Sequence, residues 1–173
     1  MTLSTLFDTA SSTKVVATNT AVALLYQAGY FGLDTPIASP TLLGPDFAQN
    51  GKGSITVRHC LLHHAGFPPG PVPCYWQPVF GCPQSLQRQP EEDWSCRTRI
   101  YESLLAQTVV MPPNIAYLYS DLSFITLAYV VGKVVSDNRL VAQDQFLPGC
   151  LVRPYRHANH TSSHASPLRR LAC

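Results

Sequence analysis

The sequence predicts one domain built mainly of helices, and three observations lead there. Nearly half of the 173 residues, 46%, are hydrophobic and only 13% are charged, which is enough apolar matter for a core. Apolar residues recur at helical spacing in four separate segments. Between them lie long stretches dense in proline and glycine, which break regular structure.

The first helix is expected over residues 11 to 29, SSTKVVATNTAVALLYQAG, where Val15, Val16, Val22, Leu25 and Tyr26 recur and Gly29 is placed as a stop. Its apolar content predicts a buried helix. Leu33-Asp34-Thr35-Pro36 turns the chain, and residues 36 to 54 read as an extended surface connection. In ITVRHCLLHH, residues 55 to 64, Thr56 is a suitable N-cap, with Val57, Cys60, Leu61 and His64 on one face of a short helix that ends by Gly66. From Phe67 to Trp94, seven prolines predict a long loop or lid. RTRIYESLLAQT, residues 97 to 108, reads as an amphipathic helix closed off by Pro112-Pro113, and NIAYLYSD follows as an extended strip. LSFITLAYVVGKVV, residues 122 to 135, is a second strongly apolar helix. The domain is expected over residues 1 to 150. Residues 151 to 173, with four arginines, three histidines and no acid, read as a basic disordered tail.

A formal charge of +2 argues against a nucleic-acid or acidic-membrane partner. No apolar run reaches the length of a membrane span and no export signal is evident, so a soluble product is expected. Cys60, Cys74, Cys82, Cys96, Cys150 and Cys173 lack the paired spacing of a zinc ribbon. Cys74 and Cys82 close a proline-rich loop and are placed for a disulfide in an oxidising compartment.

Chemistry is concentrated in Ser11-Ser12-Thr13-Lys14. A spacing of three residues puts Ser11 and Lys14 on one side of a first helical turn. A serine hydroxyl attacks a carbonyl only when a neighbouring base takes its proton, and an unprotonated lysine can do so. Backbone N–H groups at the start of the helix would face the developing oxyanion. An N-cap serine followed by a solvated lysine gives the same four letters, so context decides.

That context is extensive. LFDTASSTKVVATNTAVALLYQAGYFGLDTPI closely resembles the opening of β-lactamase-related serine hydrolases of the class C and esterase type: Phe, Asp, any residue, Ala-Ser, any residue, Thr-Lys, an apolar helix, then Leu-Asp-x-Pro. ITVRHCLLHHAGFPPG resembles that family's second block, with His63 and Gly66 in its His and Gly places. Tyr119-Ser120-Asp121 resembles the Tyr-x-Asn element and its trailing helix, with Asp121 departing from asparagine. The resemblance implies an α+β fold, a sheet plus a helical lobe, of which this chain holds mostly the helical portion with the sheet incomplete. It implies acyl-enzyme hydrolysis of an ester or amide, whether β-lactam, D-amino-acid peptide or carboxylester. Ser11 would be the nucleophile, Lys14 its general base, and Tyr119 a general base or acid. Asp121 would hydrogen-bond the lysine or the substrate. No metal or organic cofactor is needed by this chemistry.

The family's further Lys-Thr-Gly or His-x-Gly element is not found after Tyr119, and His160-Thr161-Ser162 is the nearest approach. A truncated, catalytically inactive member acting as a binding or scaffold protein is therefore the alternative. His59, His63 and His64 suggest a metal by their helical spacing, but no acid lies between them, and a capping or supporting role for His63 is expected instead. Tyr75 and Trp76 are candidates to line a substrate pocket.

Overall fold

The computed structural model describes residues 9–75, 77–80 and 96–140. It divides the chain into two compact units, one formed by Met1–Tyr30 with Val131–Cys173, the other by Phe31–Val130. The expected tail lies outside the described residues.

In the first unit a wide π-helical stretch, Lys14–Asn19, runs directly into α1, Thr20–Gln27. Thr18, Ala21, Val22 and Leu25 are buried, the i, i+3, i+4, i+7 stripe of a helix with one inward face. The expectation of a helix buried throughout is corrected here. Val15 is 63% exposed and Val16 73%, and both stand on the π-helical stretch, whose wider turn takes them out of the α-helical register of the buried stripe. Gly29, at φ 81°, ends the segment in the left-handed region that favours glycine.

In the second unit the segment after Phe31 packs more closely than a surface connection would. Ile37, Leu42, Leu43 and Phe47 are all buried, with a 3-10 turn at Pro45–Ala48. An isolated antiparallel bridge joins Pro36 to Thr56, with Ile37 N–H donating to Ile55 C=O at 2.8 Å. Among the described residues this is the sheet-like pairing present, and the rest of the regular structure is helical.

α2, Val57–Leu61, starts where the chemistry of Thr56 places it. The Thr56 hydroxyl accepts from His59 N–H at 3.2 Å and His59 Nδ1 accepts from Thr56 N–H at 3.2 Å, a reciprocal cap. Arg58 grips Asp34 with two bonds, at 2.7 and 2.9 Å, and this contact holds the Asp34 carboxyl below the usual range.

α3, Cys96–Ala106, and α4, Asp121–Asp137, follow the predicted segments closely. α4 is buried on most of its surface, from Leu122, Phe124 and Leu127 to Val134 and Val135. A helix apolar on so many faces is stable only inside a core.

The long proline-rich segment is irregular where it is described, apart from a short 3-10 turn at Pro78–Phe80. Gln107 clasps it: the side-chain carbonyl accepts from Val72 N–H at 3.1 Å and the amide donates to Val72 C=O at 3.0 Å. Cys74 carries a free thiol, while Cys96 is disulfide-bonded. The pairing of Cys74 with Cys82 is thus not the one formed, and Cys82 lies outside the described residues.

Candidate functional site

The Ser11 side chain meets Lys14 as the spacing predicts: Lys14 Nζ donates to Ser11 Oγ at 3.1 Å. Ser11 is exposed and Lys14 half-buried, so the hydroxyl is open to a small molecule. A proton can pass along such a contact once the amine is unprotonated. Residue Ala10, just before the serine, has φ 43°, a left-handed conformation unusual for alanine. Three tight bonds follow, Ser12 N–H to Thr9 C=O at 2.9 Å, Thr13 to Ala10 at 3.1 Å and Lys14 to Ser11 at 3.1 Å. These three donors are turned onto the preceding carbonyls.

The second constellation belongs to the other unit and is built on the strip before α4. Ser120 is buried; its hydroxyl donates to Pro68 C=O at 2.6 Å and accepts from Leu122 N–H at 3.2 Å, so it caps the helix. Asp121 N–H donates to Pro69 C=O at 3.0 Å. Its carboxylate stands in the first turn of α4, where the helix dipole favours negative charge. Tyr119 is 39% exposed, and its ring lies against His63, 4.5 Å between centroids and tilted by 36°.

His63 also accepts from Ser120 N–H through Nδ1 at 3.1 Å. The nearby Gly66 is required by its neighbours. Its φ is 78°, and a Cβ there would stand 2.1 Å from the Met111 carbonyl oxygen. Val110 N–H in turn donates to Gly66 C=O at 2.8 Å. The segment carrying His63 and Gly66 therefore lies directly alongside the chain that leads to Tyr119.

A family model described as Beta-lactamase matches residues 1–143. The chain belongs to the β-lactamase family. Two curated relatives carry the name "Putative D-alanyl-D-alanine carboxypeptidase". One, from Escherichia coli strain K12, is 27% identical over 155 residues, covering 85% of this chain and 33% of its own length. The other, from Escherichia coli O157:H7, is 27% identical over 152 residues with the same coverage. The chain thus spans about a third of the length of the curated relatives it matches.

Other sequence candidates resolve differently in this β-lactamase-family chain. Among the described residues no group of three or more His, Cys, Asp or Glu side chains is gathered to hold a metal. His59 serves the α2 cap, and burial chiefly, together with the neighbouring His64, lowers its pKa. Tyr75 is buried with its ring 4.8 Å from Phe80, and desolvation pushes its phenol up to about 12. Trp76 lies outside the described residues, as does His160-Thr161-Ser162. No described helix is long and apolar enough to cross a membrane.

Sequence reasoning missed Lys52. It is fully buried, and its ammonium donates to Leu105 C=O at 2.8 Å and Gln107 C=O at 2.6 Å at the C-terminal end of α3. Asn50 adds a bond to Ala106 C=O at 3.0 Å. No basic residue stands in the last turn of α3 itself, so Lys52 brings positive charge to that helix end from elsewhere in the chain.

Proposed function

We propose that this chain is the nucleophile-bearing part of a serine hydrolase of α+β fold that cleaves an ester or amide through an acyl-enzyme on Ser11. The observation that carries the reading is the 3.1 Å contact between Lys14 Nζ and Ser11 Oγ, inside a stretch matched by the family model. Ser11 Oγ attacks the substrate carbonyl while its proton passes to the neutral amine of Lys14. The leaving group departs with a proton, supplied by Tyr119 in the role that the motif resemblance assigns to it. Water then gives a proton to the Tyr119 phenolate and attacks the ester of Ser11, the carboxylic acid leaves, and Ser11 Oγ recovers its proton from the Lys14 ammonium. Asp121 is assigned a hydrogen bond to the lysine or substrate by the same resemblance. The name that the two relatives carry makes a peptide ending in D-alanine the first substrate to try, beside β-lactams and simple carboxylesters.

An inactive member acting by binding is favoured by a different observation. Val15 and Val16 stand 63% and 73% exposed beside the serine, and exposed apolar groups in a cluster mark contact surfaces. One experiment separates the two readings. The purified chain is incubated with a fluorophosphonate or penicillin-type acylating agent and its intact mass measured, beside Ser11→Ala and Lys14→Met. The hydrolase reading expects one adduct in the wild type, none in Ser11→Ala and slow labelling in Lys14→Met. A folded wild type that takes no label overturns it and leaves the binding reading.

A further inference from the structure

His63 holds three consecutive residues around Tyr119 in three different ways. Its backbone carbonyl accepts from Leu118 N–H at 2.9 Å. Its ring lies against the Tyr119 ring at 4.5 Å. Its Nδ1 accepts from Ser120 N–H at 3.1 Å. Such a grip by one residue is made possible by its backbone, since His63 has φ 56° and leaves α2 in the left-handed region. The ring is itself fixed on other sides, by Phe124 of α4 at 5.1 Å and by the edge of Tyr117 at 5.9 Å.

We propose that His63 is a positioning residue for Tyr119, fixing the rotation and depth of the phenol chiefly through the bond that its Nδ1 accepts from the Ser120 amide. The inference rests on the assignment of Tyr119 as the acid–base group above. A tyrosine that is 39% exposed has room to turn, and proton transfer needs its oxygen held within hydrogen-bond reach of the reacting atoms. Nδ1 accepts a bond only as the unprotonated nitrogen, so in the neutral ring the proton sits on Nε2. The neighbouring His64 does a different job: its carbonyl accepts from Asn114 N–H at 2.8 Å and so ties down the start of the strip.

The two contacts separate by substitution. Asparagine at 63 keeps an acceptor the same number of bonds from Cα and tolerates positive φ, but loses the ring. Phenylalanine keeps a ring and leaves the Ser120 N–H without its acceptor. The full chain is labelled at Ser11 in rapid-quench experiments, each rate normalised to the labelled endpoint so that misfolded protein does not count. His63→Phe is expected to slow acylation on the order of tenfold or more, with the half-saturating reagent concentration unchanged. His63→Asn is expected to stay within about threefold of wild type. A purely structural histidine would lower the endpoint and leave the normalised rate alone. Equal rates in wild type and His63→Phe overturn the inference while leaving the hydrolase reading intact. Should the wild type take no label, the hydrolase reading fails and amide exchange at Ser120 decides this one. Faster exchange in His63→Phe than in wild type and His63→Asn supports the clamp, and equal exchange in all three overturns it.

Discussion

Replacing Lys52 by methionine tests whether a buried ammonium closes α3. The side chain is fully buried, lies 5.7 Å from the centre of the Phe47 ring, and donates to the carbonyls of Leu105 and Gln107. Burial lowers its pKa from 10.5 to about 8, which corresponds to about 3 kcal/mol of penalty on the charged form. Against this stand two carbonyls that methionine would leave without their donor, at about 1–3 kcal/mol each. Near pH 7 the two effects largely cancel, so Lys52→Met and wild type should differ by no more than about 2 kcal/mol. The decisive quantity is the pH dependence. Between about 8 and 10.5 the unfolded chain binds a proton at this lysine that the folded chain does not, so wild-type stability rises with pH there. The variant lacks this contribution. Urea unfolding of both proteins, followed by circular dichroism at constant ionic strength from pH 7 to 10, should show their difference moving toward wild type by about 2–3 kcal/mol. Tyrosine ionisation is common to both and drops out of the comparison. A difference that stays flat across this range would show that the ammonium is not desolvated and would refute the reasoning.

Gly66→Ala should cost more than about 3 kcal/mol or abolish folding, because its Cβ would meet the Met111 carbonyl at 2.1 Å; Gly29→Ala, equally left-handed but with open space around it, should cost about 1–2 kcal/mol by thermal melting. Thr56→Ala removes half of the α2 cap and should lower stability by about 1 kcal/mol in urea. His59 has a lowered folded-state pKa, so stability should fall as pH drops below about 6.5 toward that value, and His59→Gln should flatten the profile between pH 7 and 5. Gln107→Glu turns a donor into an acceptor facing Val72 C=O and Ser103 C=O, and should cost about 2–3 kcal/mol and speed limited proteolysis near Val72.

Helices announced themselves where one periodic apolar signal outweighed everything else. Residues 97 to 108 and 122 to 135 were expected, and Cys96–Ala106 and Asp121–Asp137 are found. Thr56 was legible because a cap is local chemistry. The first segment was legible as a helix but its facing was not, since Val15 and Val16 fit a hydrophobic stripe on paper while the buried stripe starts at Thr18. Residues 36 to 54 misled for a related reason. Their polar, turn-rich letters suggest surface, yet Ile37, Leu42, Leu43 and Phe47 are buried, at positions that follow no helix or strand period. Lys52 sits between Gly51 and Gly53, where nothing local marks a buried ammonium; its burial follows from carbonyls more than fifty positions further along the chain.

The same distinction runs through the candidate site. Ser11 and Lys14 are three positions apart, so a single turn brings hydroxyl and amine together and the motif alone predicts their contact. The hold on Tyr119 joins His63 to Ser120 across fifty-seven positions, and no pattern within either block reveals it. Each block nevertheless bears its mark: Gly66 is needed because the chain at Met111 passes within reach of its missing side chain, and the serine between Tyr119 and Asp121 is needed to cap α4 and bond Pro68. Residues that look like spacers between chemical groups are thus the ones that fix where the tyrosine stands. A change at His63 or Ser120 should therefore disturb Tyr119 first, through the bond to Nδ1 and the ring contact that hold it.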